Sequence, residues 1–237
     1  MSEPPAALAL RRMPADPTAA VLLMHGGRAE GLGPPPRPNL PQLRMLPFVR
    51  AIASASRTGA LVVAEVRYVH RGWNGRRADP VHDVQRALRE LRGVAGPVPV
   101  VLVGHSMGAR AALRAAADPL VSAVVGLAPW CPPGEPVAHL ADTTVVLLHD
   151  EADRVTDARA TWEYLRRARA RGARAAGIVM PHGRHAMLRR AGTWHRVATD
   201  ATLGLLGLAA LPEELFTGRI PASPARPGGG PRRPVAR

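Results

Sequence analysis

Three short stretches hold residue types that could together perform nucleophilic chemistry. Residues 103–109 read VGHSMGA, placing Ser106 in a G-x-S-x-G pattern between an apolar run and an alanine-rich segment. A serine hydroxyl is a weak nucleophile until a base takes its proton, and the base works best when a carboxylate orients it. Residues 149–155, HDEADRV, offer three acids. Asp153 is the preferred one because it lies deeper in the loop before Val155 re-anchors the chain; Asp150 is the main rival, and Glu151 reads as solvated. Residues 181–188, PHGRHAML, offer His185 and His182, with His185 preferred because it precedes an apolar anchor. The stretch MHGGR at 24–28 follows a strand-like run, and its glycines leave backbone N–H groups unobstructed. Gly27 is the best donor there to an oxyanion, with the Arg28 N–H as a neighbour, and Met107 at a helix N-terminus is the other donor. His25 reads as a structural group holding this loop, and His70, His82, His105, His139, His149 and His195 read as surface or satisfied structural groups.

The elements needed to position these residues are legible as an alternation. Continuous apolar runs at 20–24, 61–66, 99–103, 122–127, 144–148 and 175–180 have the character of strands covered on both faces, and ALAL at 7–10 suggests a short edge strand. Helical patterns lie between them at 41–57, from Asp79 onward, at 107–117, at 157–171 and at 195–210. Pro47 is expected to bend the first helix or end its first turn, and Asp79 to cap the second ahead of Pro80. Strand and helix in alternation predict one α/β domain over residues 1–216 with a mostly parallel sheet. From residue 217 the chain is rich in proline, glycine and arginine with few large apolar residues, the composition of a disordered tail. Ser106, Asp153 and His185 then follow strands in the chain order Ser, Asp, His.

Composition narrows the function classes. At 237 residues, 46% of them hydrophobic, the chain can bury a core without staples. Cys131 is the single cysteine, which excludes an internal disulfide and a cysteine-rich zinc site. No HExxH-type spacing occurs, and no metal is expected. The net charge of +14 comes from 32 basic residues, all arginine, and five of these lie in the acid-free residues 219–237. The others are interspersed with acids and form no nucleic-acid-binding motif, so specific nucleic-acid binding is not expected. The N-terminus lacks a secretory pattern and no apolar segment is long enough to span a bilayer, from which a cytoplasmic protein is expected.

On HGG at 25–27, RYVHRGWN at 67–74, GHSMG at 104–108, HDEADRV at 149–155 and GRHAML at 183–188, the chain resembles the α/β-hydrolase fold superfamily over about residues 18–210. The likeness is to small, capless members near the dienelactone-hydrolase and carboxylesterase-like groups. It implies Ser106 as nucleophile, Asp153 as acid, His185 as base, and the N–H groups of Gly27 and Met107 as oxyanion donors. The family often carries glycine three residues before the acid, where this chain has Asp150. About sixteen residues separate the runs at 122–127 and 144–148, too few for a large lid, and a minimal sheet of six or seven strands is expected. The reaction implied is hydrolysis of a small ester or related acyl substrate without a cofactor, with Arg28, Trp73 and Trp130 as candidate pocket residues. A thioesterase, amidase, carbon–carbon hydrolase or haloperoxidase on the same fold, or a binding protein that keeps the scaffold, are the alternatives.

Overall fold

A computed structural model describes residues 5–56 and 59–221. The apolar runs form seven strands: β1 (Leu8–Arg12), β2 (Ala19–Met24), β3 (Leu61–Val66), β4 (Val100–His105), β5 (Val121–Leu127), β6 (Thr144–His149) and β7 (Arg174–Val179). They make one sheet in the order β1-β3-β2-β4-β5-β6-β7. Every neighbouring pair is parallel except β1 with β3. Strands β2, β3 and β4 are buried along their whole length, which is why they carry almost no polar residue.

Among the described residues, six helices cover the sheet: α1 (Leu40–Ala55), α2 (Asp79–Ala95), α3 (Met107–Ala115), α4 (Ala158–Arg169), α5 (Ala191–Leu205) and α6 (Glu214–Thr217). Leu88 and Leu91 of α2, Leu113 of α3 and Trp162 of α4 join the core on one face. Phe48 and Ile52 of α1, Trp194 of α5 and Phe216 of α6 join the core on the other. The small side chains of α3 let it lie close to the sheet, and Ala109, Ala111 and Ala112 are wholly buried.

Local details depart from the sequence pattern. Helix α1 runs through Pro47, whose missing N–H falls in the middle of the element and neither ends nor starts a turn. Asp79 is the first residue of α2 and not its cap; Ala78 takes the cap position with φ 47°, and Asp79 instead accepts from Asn74 Nδ2 at 2.6 Å. Asp157 does cap α4, accepting from the Arg159 N–H at 3.0 Å. Helix α5 starts at Ala191, four residues before the predicted 195, because Trp194 turns inward to full burial. The tail predicted from 217 lies outside the described residues from 222 onward. Gly218 C=O accepts from Arg169 Nη1 at 2.7 Å, and Ile220 packs on the core.

This topology fixes where a site can form. The chain passes from β2 to β3 on one side, then returns past β2 to place β4 on the other. The carboxyl ends of β2 and β4 therefore flank a switch point, the crevice where open α/β sheets bind ligands. Residues 25–27 leave one strand there and Ser106 leaves the other.

Candidate active site

Ser106 sits between the last residue of β4 and the first of α3 with φ 53° and ψ −114°, a conformation that non-glycine residues avoid. Two close approaches hold it there. A Cβ on Gly104 would come within 2.5 Å of the Gly108 and Ala109 backbone, and one on Gly108 within 2.5 Å of His25 O. Only glycine lets β4, α3 and the end of β2 meet this tightly. The Ser106 N–H donates to Leu127 O at 3.0 Å, and its C=O accepts from the N–H groups of Arg110 at 3.1 Å and Trp130 at 3.2 Å.

The loop after β2 is set against the start of α3. A Cβ on Gly27 would lie 2.3 Å from Met107 Cε, so these two residues are in contact. As the first residue of α3, Met107 presents an N–H that has no partner within its helix. The Arg28 N–H is engaged with Arg71 O at 3.1 Å, which removes it as an oxyanion donor. His25 holds the loop: its Nδ1 lies 2.6 Å from Gly26 O and its Nε2 3.2 Å from Asn39 Nδ2, so Nδ1 carries the proton and Nε2 accepts. Burial depresses its pKa despite the hydrogen bond to Gly26.

Asp153 and His185 meet directly. His185 Nδ1 donates to Asp153 Oδ2 at 2.9 Å; the carboxylate is fully buried and the imidazole 17% exposed. Oδ2 also receives Thr156 Oγ1 at 2.9 Å and His149 Nε2 at 3.2 Å, while Oδ1 accepts the N–H groups of Val155 at 2.7 Å and Thr156 at 3.2 Å. Burial alone would raise the Asp153 carboxyl, but the donors from His149 and His185 outweigh it and hold its pKa well below the usual carboxylate range. The carboxylate is thus a fixed negative charge behind the imidazole.

Asp150 serves a different group. Its Oδ2 accepts the Arg184 N–H at 2.6 Å and its Oδ1 the Ala152 N–H at 2.9 Å, so it ties the acid loop to the residue before His185. Glu151 and His182 are exposed. The histidine loop is tightly specified. Among the described residues, four of the eight non-glycine positions with positive φ are His182, Arg184, Met187 and Arg190. A Cβ on Gly183 would strike Trp194 Nε1 at 2.0 Å.

His105, His149 and Thr156 were not marked by spacing, and all three are buried parts of this constellation. His105 Nε2 donates to His185 O at 2.9 Å, and the two rings lie 4.9 Å apart, which brings the His185 loop onto the residue just before Ser106. Burial, followed by the charge of His185, pushes the His105 pKa down to about 3. Cys131 is buried as well, and its thiol is pushed up to about 12 chiefly by burial, leaving it protonated and unreactive.

Two cavities open on neighbouring segments, and neither has Ser106, Asp153 or His185 in its walls. One of about 590 Å³ is lined by Ala29, Glu30, Trp73, Arg76, Arg110 and Trp130. The Arg110 guanidinium lies 3.8 Å from the Trp73 ring centroid and 4.4 Å from that of Trp130, and Arg110 pairs with buried Glu135 at 2.7 Å. The other, about 410 Å³, is an apolar groove between α1 and the loop after His185, with Leu40, Leu43, Met187 and Leu188 in its walls. Trp73 and Trp130 thus line a cavity, whereas Arg28 lines neither.

No family model and no curated protein matches the sequence. Solved structures do match. An α/β serine hydrolase homologue from Coxiella burnetii has a TM-score of 0.60 at 16% identity, covering 84% of this chain and 93% of its own. An α/β serine hydrolase without a lid from Xanthomonas campestris has a TM-score of 0.58 at 20% identity, covering 86% and 89%. Esterase 2 of Thermogutta terrifontis with butyrate bound has a TM-score of 0.61 at 16% identity, covering 86% and 90%. The fold is that of the α/β-hydrolases, and among the described residues β5 and β6 are joined by a short segment holding a single 3₁₀ turn at Ala138–Leu140.

Proposed function

We propose that the protein is a serine hydrolase acting on a small ester or related acyl substrate, with Ser106 as nucleophile, His185 as base and Asp153 as the acid that orients it. The observation that carries this reading is the buried Asp153 carboxylate donating no proton and accepting His185 Nδ1–H at 2.9 Å, on the loop docked beside the strained Ser106 turn. In this reading His185 takes the Ser106 proton through Nε2 as Oγ attacks the carbonyl carbon. The N–H groups of Gly27 and Met107 stabilise the oxyanion of the tetrahedral intermediate. His185 then gives its proton to the leaving alcohol, and the reverse sequence with water releases the acid and restores Ser106. In this reading the substrates carry short to medium acyl groups, and the apolar groove of about 410 Å³ walled by Met187 and Leu188 after His185 is the candidate acyl site.

Hydrolysis of p-nitrophenyl esters from acetyl to decanoyl tests the reading. Parent turnover with a short- or medium-chain optimum, falling by about a thousand-fold or more in Ser106→Ala, is expected. Turnover retained by Ser106→Ala removes the serine from the role.

A further inference from the structure

A second imidazole stands behind the acid. His149, the last residue of β6, is wholly buried and four residues before Asp153. Its Nε2 faces Asp153 Oδ2 at 3.2 Å, and its Nδ1 lies 2.8 Å from the Oγ1 of buried Thr161 on α4. A carboxylate only accepts, so Nε2 carries the proton that faces it, and the Thr161 hydroxyl donates to Nδ1. The residue is held from two further directions. Its backbone C=O accepts the Met180 N–H at 2.8 Å, locking it to the strand that launches the His185 loop, and Trp162 meets it edge-on at 6.2 Å.

We propose that His149 is a positioning residue: its Nε2–H holds Asp153 Oδ2 where that oxygen orients His185. The proposal rests on the reading of His185 as base. Thr156 Oγ1 donates to the same Oδ2 at 2.9 Å, and His149 adds a ring N–H from the end of β6. The titratable groups around the carboxylate are His149 from β6 and His185 from the loop after β7, with His105 from β4 behind His185 and Arg44 of α1 acting on His105. Asp150 points away to the Arg184 N–H. Among these, only His149 and His185 donate to Asp153 through a ring nitrogen.

The test compares the parent, His149→Leu and His149→Gln by steady-state hydrolysis of p-nitrophenyl butyrate and by carbon-13 titration of the Asp153 carboxyl. His149→Leu is expected to lower kcat about ten-fold, the rate equivalent of one charge-assisted hydrogen bond, with KM within about two-fold of the parent. It should also move the Asp153 titration upward toward the ordinary carboxylate range. His149→Gln keeps an N–H donor and is expected to recover most of kcat and a near-parental titration. A Leu variant with parental kcat and parental titration overturns the proposal. If parent turnover survives Ser106→Ala, the hydrolase reading falls, and the Asp153 titration decides the His149–Asp153 contact by itself: an unmoved titration overturns it. Should His149→Leu fail to fold, the nitrogen-15 shifts of His149 in the parent decide, and a ring protonated on Nδ1 with bare Nε2 overturns the proposal.

Discussion

Asp153 and Asp150 stand three residues apart on one loop and do different things; depth in the loop favours Asp153 in the sequence, but the partners that distinguish the two lie more than thirty residues further on. Both are buried, but only Asp153 accepts from an imidazole; Asp150 accepts backbone N–H groups, including that of Arg184. In the proposed mechanism, Asp153→Asn turns an acceptor toward a donor and disfavours the working tautomer of His185, so kcat should fall by about a thousand-fold or more. Asp150→Asn keeps an acceptor oxygen for Arg184 and should cost less than about ten-fold in kcat, equivalent to a weakened hydrogen bond. Steady-state kinetics of the two variants checks the assignment; equal losses would contradict it. The same chemistry sets the pH response. The donors on Asp153 keep it ionised through the usual carboxylate range. Loss of kcat/KM on acidification should therefore not follow this carboxylate, and an acid limb centred near about 4, the ordinary carboxylate value, would contradict a depressed Asp153.

At the scale of elements, the strained turn at Ser106 depends on how closely β2, β4 and α3 approach. Gly108→Ala places a methyl group against the backbone oxygens of Met24 and His25, where no flexible side chain can yield. A loss of about 3 kcal/mol in urea unfolding, or failure to fold, is expected, and a near-neutral change would contradict this packing. Much of this was legible beforehand. Continuous apolar runs identify buried strands, and small residues flanking Ser106 identify a crowded strand-to-helix turn. What stayed hidden depends on distant partners. His105 meets His185 across eighty residues, and Thr156 lies 3.2 Å from a ring twenty-nine residues away. No local period marks such pairs. The cap of α2 was misplaced for a related reason: Asp79 has the right chemistry for a cap, but Arg77 and Asn74 hold its carboxylate from outside the helix.

At the scale of the molecule, the sheet brings loops from β2, β4, β6 and β7 to one edge, and burial of histidines there ties stability to pH. His105 has its pKa lowered to about 3 in the fold, so it is neutral there while the unfolded chain takes up a proton below about 6.5. The unfolded state then binds more protons, and stability falls as pH drops from about 6.5 toward about 3, by up to about 1.4 kcal/mol per pH unit for this one group. His105→Gln, which keeps an N–H for His185 O, should flatten that slope in urea unfolding followed between about pH 7 and 4. An unchanged slope would contradict a neutral buried His105. The central claim, that this edge activates Ser106 as a nucleophile, is tested most directly by the intact mass of the protein after incubation with an organophosphate ester, with the modified peptide mapped. The account predicts one covalent adduct, on Ser106, absent from Ser106→Ala; no adduct, or an adduct on another residue that persists in the variant, would contradict it.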